Sequence, residues 1–323
     1  MRRKTELDAT AIGLMVMLCA LWGFQQVTIK VANEAIPPVF QAGLRSVVAV
    51  LLVGVWATAR RIPLNVRDGS FLPGVVAGLL FATEFAMIYW ALTFTTAARA
   101  VLFIYTSPFV VAAGVHWLVP GESLGRWQVS GLACAFVGVV AAFADNISMP
   151  LGNQWIGDLL ALGASVLWGA TTVVIRASRL ATVSATKTLI YQLAISAMLL
   201  PFASMALGEH DIRNPTLLTW AALAYQSVVV AFASYLVWFW LITRYPAGRL
   251  AAFSFLTPLF GMLFGAIVLG ERITPSLGLA MGLVAVGLWM VNRRKPITIT
   301  EESGGDDACK VPIAIAPESG RES

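Results

Sequence analysis

The sequence predicts an all-α membrane protein with ten transmembrane helices, arranged as two five-helix repeats of opposite orientation. Three observations predict it: apolar segments each long enough to cross a bilayer, a charge bias between alternate connections, and a set of motifs that recurs in the second half.

Only 12% of the residues are charged and 58% are hydrophobic, and the mean hydropathy is +0.79. A soluble domain carries about a quarter charged residues, so water is not the main solvent of this chain. A bilayer core roughly 30 Å thick asks for about 20 apolar residues at helical rise. Ten such segments follow one another: 11–32, 38–58, 72–92, 97–117 and 125–144, then 155–176, 184–206, 217–242, 248–269 and 275–292. They group into two domains, residues 9–146 and 153–293. Residues 294–323 are rich in Glu, Asp, Ser and Gly and cannot build a packed core, so they read as a disordered cytoplasmic tail. Arg2, Arg3 and Lys4 before an apolar run imitate a signal peptide. The run extends to about Ile29 and its pattern returns later in the chain, so it reads as the first span.

Orientation follows from charge. With the N-terminus in the cytoplasm, Arg60, Arg61, Arg67, Arg126, Arg176, Arg179, Arg244, Arg249, Arg293, Arg294 and Lys295 join Arg2, Arg3 and Lys4 at cytoplasmic ends. The other side keeps Lys30, Arg99, Arg213 and Arg272, an imbalance that satisfies the positive-inside rule. Ten spans return the C-terminus to the cytoplasm. The net charge of +5 is spread over loop ends instead of one polar face, so the lipid bilayer is the expected partner and nucleic acid is not. Cys19, Cys134 and Cys309 give neither a disulfide framework nor metal-ligand spacing and read as packing residues.

The repeat is visible in polar and aromatic residues. LWGFQQVTIK (Leu21 to Lys30) corresponds to LWGATTVVIR (Leu167 to Arg176) at an offset of 146. Trp90, Thr93, Ala97, Arg99 and Pro108 correspond to Trp240, Thr243, Ala247, Arg249 and Pro258 at an offset of 150, and Glu122 corresponds to Glu271 one residue out of register. Five spans per copy is an odd number, so the second copy enters the membrane from the opposite face. A site between inverted halves can be opened to either side by exchanging their conformations, which a channel or receptor does not need.

These residues resemble the EamA-domain family of the drug/metabolite transporter superfamily over roughly residues 10–293. The resemblance is carried by Trp22–Gly23 with Lys30 behind them, AGLRSVVAVLL (Ala42 to Leu52), the run from Tyr89, Pro108 and the GES at Gly121. In the second copy it is carried by Trp168–Gly169, the run from Tyr235, and LGERIT from Leu269. It implies a ten-helix bundle whose central cavity is lined by the first, third and fourth helix of each half, with the fifth outside. It also implies a substrate class of amino acids or related metabolites. The second copy departs where Tyr191 and Gln192 stand in place of the arginine region of segment two.

Glu84 is the sharpest candidate for the site. It lies about 18 Å from the cytoplasmic end of its helix, where an acidic residue costs about 2.5 to 3.5 kcal/mol on insertion scales. Three readings stay open: counter-ion for a substrate amine, carrier of a coupling proton, or structural residue hydrogen-bonded to Ser234 or another helix. Arg45 lies two turns inside segment two, where snorkelling or bonding to helix-end carbonyls is the favoured reading and a substrate carboxylate the alternative. Gln25 and Gln26 follow the first Trp-Gly pair where Thr171 and Thr172 follow the second; of the two amides, one is expected to line the cavity and the other to bond a neighbouring helix. Tyr89, Trp168 and Tyr235 are candidate walls for a substrate's apolar part. Pro108 and Pro258 are candidate gating hinges, because proline cannot complete the helix ladder. The glycine pairs Gly74 and Gly78, Gly261 and Gly265, and Gly278 and Gly282 predict close helix approach.

No nucleophile and base pattern, paired carboxylates or phosphate-binding glycine loop is present, so neither an enzyme nor a metal or other cofactor is expected. The sequence-level expectation is a secondary carrier in the cytoplasmic (inner) membrane that exports a small-molecule substrate such as an amino acid by alternating access. Import, or carriage of a nucleotide sugar or organic phosphate, is the alternative, and a membrane-embedded enzyme a less favoured one. A phosphate carrier would need several cavity cations, and Arg45 is the one good candidate.

Overall fold

The computed structural model describes residues 4, 6–92, 94–122, 124–144, 152–209, 212–270 and 275–293. The predicted tail and Glu271 lie outside the described residues. Ten helical segments form one compact bundle: α1 (Ala9–Asn33), α2 (Pro38–Ala59), α3 (Phe71–Ala91), α4 in two pieces (Ala97–Ile104 and Ser107–Leu118), α5 (Arg126–Phe143), α6 (Gln154–Ala177), α7 (Ala185–Ala206), α8 (Leu217–Arg244), α9 in two pieces (Ala247–Phe253 and Leu256–Leu269) and α10 (Pro275–Asn292). Among the described residues nine are long and apolar enough to cross a membrane. The tenth, α10, has 18 residues, about 27 Å at helical rise.

Local sequence sets the helix ends. The Asp8 side chain accepts from Ala11 N at 2.9 Å and caps α1, Pro38 opens α2 where its missing N–H costs nothing, and Ser184 caps α7. Within α8, Tyr225–Ser234 is wound as a π-helix.

The packing obeys the inverted repeat. α1 lies on α9 as α6 lies on α4, and α3 meets α6 and α7 as α8 meets α1 and α2. α2 faces α7, α4 faces α9 and α5 faces α10, each helix against its own repeat counterpart. Helices from the two halves therefore interlock.

Glycine makes the closest of these contacts possible. A Cβ added at Gly23 would stand 2.5 Å from Phe260 Cβ, and one at Gly169 would stand 2.6 Å from Val110 Cβ. Val110 and Phe260 are themselves 150 residues apart, so the Trp-Gly motif makes the same contact in both halves. Gly74 and Gly78 meet Tyr191 and Ile195 of α7 in the same manner. The expectation for Gly278 and Gly282 fails, since nothing lies within 4 Å of either added Cβ. α10 turns its other face, with Ala280, Val284 and Val291, into the bundle, and α5 approaches Gly287 through Gly131.

α4 and α9 are interrupted at equivalent places, Tyr105 with Thr106 and Ser254 with Phe255. Pro108 and Pro258 stand just after the breaks, in the first turn of the resumed helices, where a missing N–H is one of the four that have no intrahelical partner anyway. The breaks are satisfied partly within the helix, Thr106 Oγ1 donating to Phe103 O and Ser254 Oγ to Ala251 O, and partly by a neighbour. Cys19 Sγ donates to Phe253 O at 3.2 Å, and Thr106 shares a hydrogen bond with Ser165 at 2.6 Å. Cys19 thus does more than fill space.

Gly23→Ala and Gly169→Ala should each destabilise the purified protein by about 1–3 kcal/mol, the usual cost of overpacking. Gly54→Ala, with nothing within 4 Å of the added Cβ, should be neutral or mildly stabilising. Thermal unfolding in detergent checks this; equal melting of all three variants would remove the close-contact role.

Candidate functional site

A cavity of about 210 Å³ lies in the centre of the bundle. Its walls come from α1 (Trp22, Gln25, Gln26), α3 (Phe81, Glu84, Phe85, Tyr89), α4 (Val101, Ile104, Tyr105), α6 (Trp168, Thr171, Thr172), α8 (Tyr235, Trp238, Phe239) and α9 (Thr257), with Gln192 from α7. These are the first, third and fourth helices of each half together with one amide from a second helix. Ile29, Leu92 and Ala100 set its mouth toward the end of the bundle where α1 and α3 finish and α4 begins.

The walls are chiefly aromatic. Trp22 packs edge-on against Tyr235 and Trp238, with ring centroids 6.4 and 5.7 Å apart, and its Nε1 donates to Ser234 Oγ at 2.9 Å. Trp168 packs edge-on against Tyr105 at 5.9 Å. Thr171 and Thr172 return their hydroxyls to Leu167 O and Trp168 O one turn back, leaving their methyl groups to the wall.

Glu84 borders this space and is 5% exposed. Its Oε2 has no hydrogen-bond partner among the described residues. The expected bond to Ser234 is not made, because Ser234 Oγ donates to Val230 O and accepts from Trp22. Ser234 is the repeat counterpart of Glu84, 150 residues on, so the second half holds a satisfied hydroxyl where the first holds an unsatisfied carboxylate. Tyr89 Oη and both amide atoms of Gln192, on the same side of the cavity, are also without partners.

Arg45 departs from its favoured reading. It is 0% exposed, so it does not snorkel, and its guanidinium makes no hydrogen bond to a helix-end carbonyl among the described residues; the Tyr235 hydroxyl is the hydrogen-bonding group beside it. The guanidinium lies 4.3 Å from the centre of the Phe85 ring. The reason is the depth of α2, which lies against α7 so closely that a Cβ added at Gly43 would stand 3.2 Å from Pro201 Cδ. Arg45 does not border the cavity.

The two glutamines also differ from expectation. Gln25 and Gln26 both border the cavity, Gln25 buried and Gln26 exposed. Tyr89, Trp168 and Tyr235 are wall residues, whereas Pro108 and Pro258 are buried behind the wall. Gln192, noted in the sequence only as a departure from the arginine region, and Thr257 were not among the expected site residues. The signal for Gln192 was its position at the departure from the arginine region; Thr257 precedes Pro258.

The opposite end of the bundle holds a second cavity of about 240 Å³, bordered by Lys4, Glu122, Arg176 and Arg249 and bridged by polar contacts. Glu122, after α4, pairs with Arg176 at the end of α6 and accepts from Ala247 N at 3.0 Å. Arg176 Nη1 donates to Ile242 O at 2.7 Å. Beside them the Tyr245 hydroxyl donates to Asp8, Lys4 pairs with Asp8, and Lys4 N donates to Arg244 O at 2.9 Å. At the mouth end Asp158 of α6 pairs with Arg99 of α4 and accepts from Thr95 Oγ1 at 2.8 Å.

Both halves of the chain match the model of the EamA-like transporter family, at residues 9–144 and 155–293. The chain belongs to this family. An EamA-like relative in Escherichia coli K12, named a probable amino-acid metabolite efflux pump, is 26% identical over 291 residues, covering 86% of this chain and 93% of the relative. An uncharacterized transporter of Archaeoglobus fulgidus is 28% identical over 301 residues, covering 91% and 99%. A solved structure titled only as the crystal structure of a protein shares the fold, with a TM-score of 0.76 at 19% identity over 88% of this chain and 96% of that one. The protein is therefore a multi-pass membrane transporter of the EamA type, and its relatives' names point to transport and not to an enzyme.

Asp8 lies outside the spans, and its carboxyl is held down from 3.8 to about 2 by hydrogen bonds from Lys4, Ala11 N and Tyr245. A lowered carboxyl stabilises the folded state above its unfolded value and loses that contribution as the pH falls through about 2. Amide exchange of the N-terminal segment should therefore accelerate, relative to the rest of the bundle, on moving from pH 5 down toward about 2. Asp8→Asn should show the fast exchange already at pH 5. A wild-type segment equally protected at both pH values would contradict this.

Proposed function

We propose that this protein is a secondary carrier that moves small amphiphilic metabolites bearing an amine, amino acids and their derivatives among them, out of the cell by alternating access. On the orientation that the charge bias predicts, both termini are cytoplasmic and the cavity opens away from the cytoplasm. The Glu122 and Arg176 pair then stands at the cytoplasmic side.

One observation carries the reading: a buried carboxylate without a partner borders an aromatic cavity set between two inverted halves. The aromatic walls suit an apolar body and Glu84 suits a cation. Phosphate or nucleotide-sugar carriage is disfavoured, because among the described residues the lining contains no Lys or Arg to neutralise a phosphate. A membrane-embedded enzyme is disfavoured because Glu84 is the only carboxylate of that lining. The breaks beside Pro108 and Pro258 are the proposed hinges, and Glu84 is also the group that would carry a coupling proton.

The test is a growth screen of cells overproducing the protein, against toxic amino acids, their analogues and amines. Export gives resistance and import gives sensitivity. Glu84→Gln keeps size and hydrogen bonding while removing the charge, so at equal membrane abundance it should lower resistance about ten-fold or more, as expected for losing a charged contact in a buried site. Unchanged resistance in that variant would remove Glu84 from the mechanism.

A further inference from the structure

We propose that Arg45 is an internal substitute for the substrate's cation at Glu84: it takes the carboxylate while the unloaded carrier passes between its two open forms and yields it to the substrate's ammonium or guanidinium group on loading. The proposal rests on the cavity reading above and adds to it the chemistry by which an unloaded carrier resets.

The observations are two opposite charges, both buried and not bonded to each other. Arg45 is fully buried beside the Tyr235 hydroxyl with no carboxylate partner among the described residues, and Glu84 is nearly fully buried with Oε2 unpaired. Taking a charge out of water without a partner is strongly unfavourable, so a state in which the two satisfy each other lies close in energy. Arg45 already sits over Phe85, the residue after Glu84, and its charge acts on Glu84, Tyr89 and Tyr235. The other acid acting on this cluster, Glu209, is committed elsewhere: its oxygens accept from Val39 N, Phe40 N and Ser204 Oγ. Glu84 is thus the anion open to Arg45.

The same geometry shows why the two stand apart here. Glu84 borders the cavity and Arg45 does not, so the carboxylate is presented to a ligand while the guanidinium is held on an aromatic face, which stabilises a cation at modest strength. Tyr89 Oη and the Gln192 amide, both unpaired beside it, supply the further acceptors that an ammonium group needs. The substrate class that fits is a primary amine or guanidine on an apolar body. A ligand without a cationic group has nothing with which to displace Arg45.

The experiment uses the full chain in proteoliposomes, with labelled 2-phenylethylamine as probe and phenylalanine as its carboxylated counterpart. Binding is followed by tryptophan fluorescence, and two fluxes are measured: net efflux into amine-free medium, and exchange against external amine. In Arg45→Gln the empty carrier has no cation to neutralise Glu84. Net efflux should then fall about ten-fold or more, exchange should stay within about two-fold of wild type, and amine binding should tighten as the competitor is lost. Arg45→Lys, which keeps the charge, should restore most of the net efflux. Equal loss of both fluxes in an Arg45→Gln protein that melts like wild type, or no loss of either, would overturn the proposal. Should Arg45→Gln not accumulate, the double variant Arg45→Gln with Glu84→Gln is expected to recover abundance, because it removes both charges together; a double variant no better than the single one also overturns it. Failure of the cavity reading looks different: wild-type protein binds neither probe, or Glu84→Gln binds phenylethylamine as wild type does.

Discussion

The closeness with which α1 lies on α9, and α6 on α4, governs the rest of the structure. Between helices in lipid there is no hydrophobic driving force, so association relies on packing and hydrogen bonds. Gly23 and Gly169 remove the side chain at the two crossing points, and their neighbours Trp22 and Trp168 are thereby brought to the cavity wall. From there Trp22 reaches Ser234 and Trp168 packs edge-on against Tyr105. The interruptions in α4 and α9 depend on the same approach. Non-helical backbone at membrane depth is tolerated only inside protein or beside a cavity, and the donor for Phe253 O is Cys19, one turn from Gly23 on α1.

Charge is handled differently at the ends and at the centre. Arg99 with Asp158, Arg176 with Glu122, and Lys187 with Asp68 are paired near helix ends, and each joins separate segments of the chain. The Asp68 carboxyl is held well below the usual range by Lys187 and Ser70. In the middle, Arg45, Glu84 and Gln192 keep hydrogen-bonding capacity unspent. The ends are therefore joined by ion pairs, whereas polar atoms at the centre stay unpaired among the described residues.

Much of this was legible in the sequence because the repeat preserves residues whose reasons are not hydropathy. Trp-Gly and the proline pair mark positions that a merely apolar helix would not retain, and the ten spans emerge within a few residues of the helices, as 72–92 against Phe71–Ala91 shows. The rest depends on tertiary contact. Whether Arg45 snorkels is decided by which neighbours cover α2, and Gly278 and Gly282 have the spacing of a packing face but no helix across from them. The breaks before Pro108 and Pro258 could be read only as bends of unknown place, since proline fixes what it cannot donate and not where the preceding helix stops. Gln192 was noticed as a departure from the pattern, but its weight comes from burial without a partner.

The π-helical stretch of α8 makes the two halves unequal. Wider turns lodge more residues in each circuit, so Tyr225–Ser234 sets the azimuth at which Tyr235, Trp238 and Phe239 meet the cavity. Its counterpart α3 is an uninterrupted α-helix from Phe71 to Ala91. Rewinding the stretch by a single residue would swing that aromatic face about 100° around the axis, the angle of one residue in an α-helix. The two halves are therefore not exact copies: the aromatic face of α8 meets the cavity after a differently wound stretch, and the cavity wall that α8 builds differs in register from the one that α3 builds.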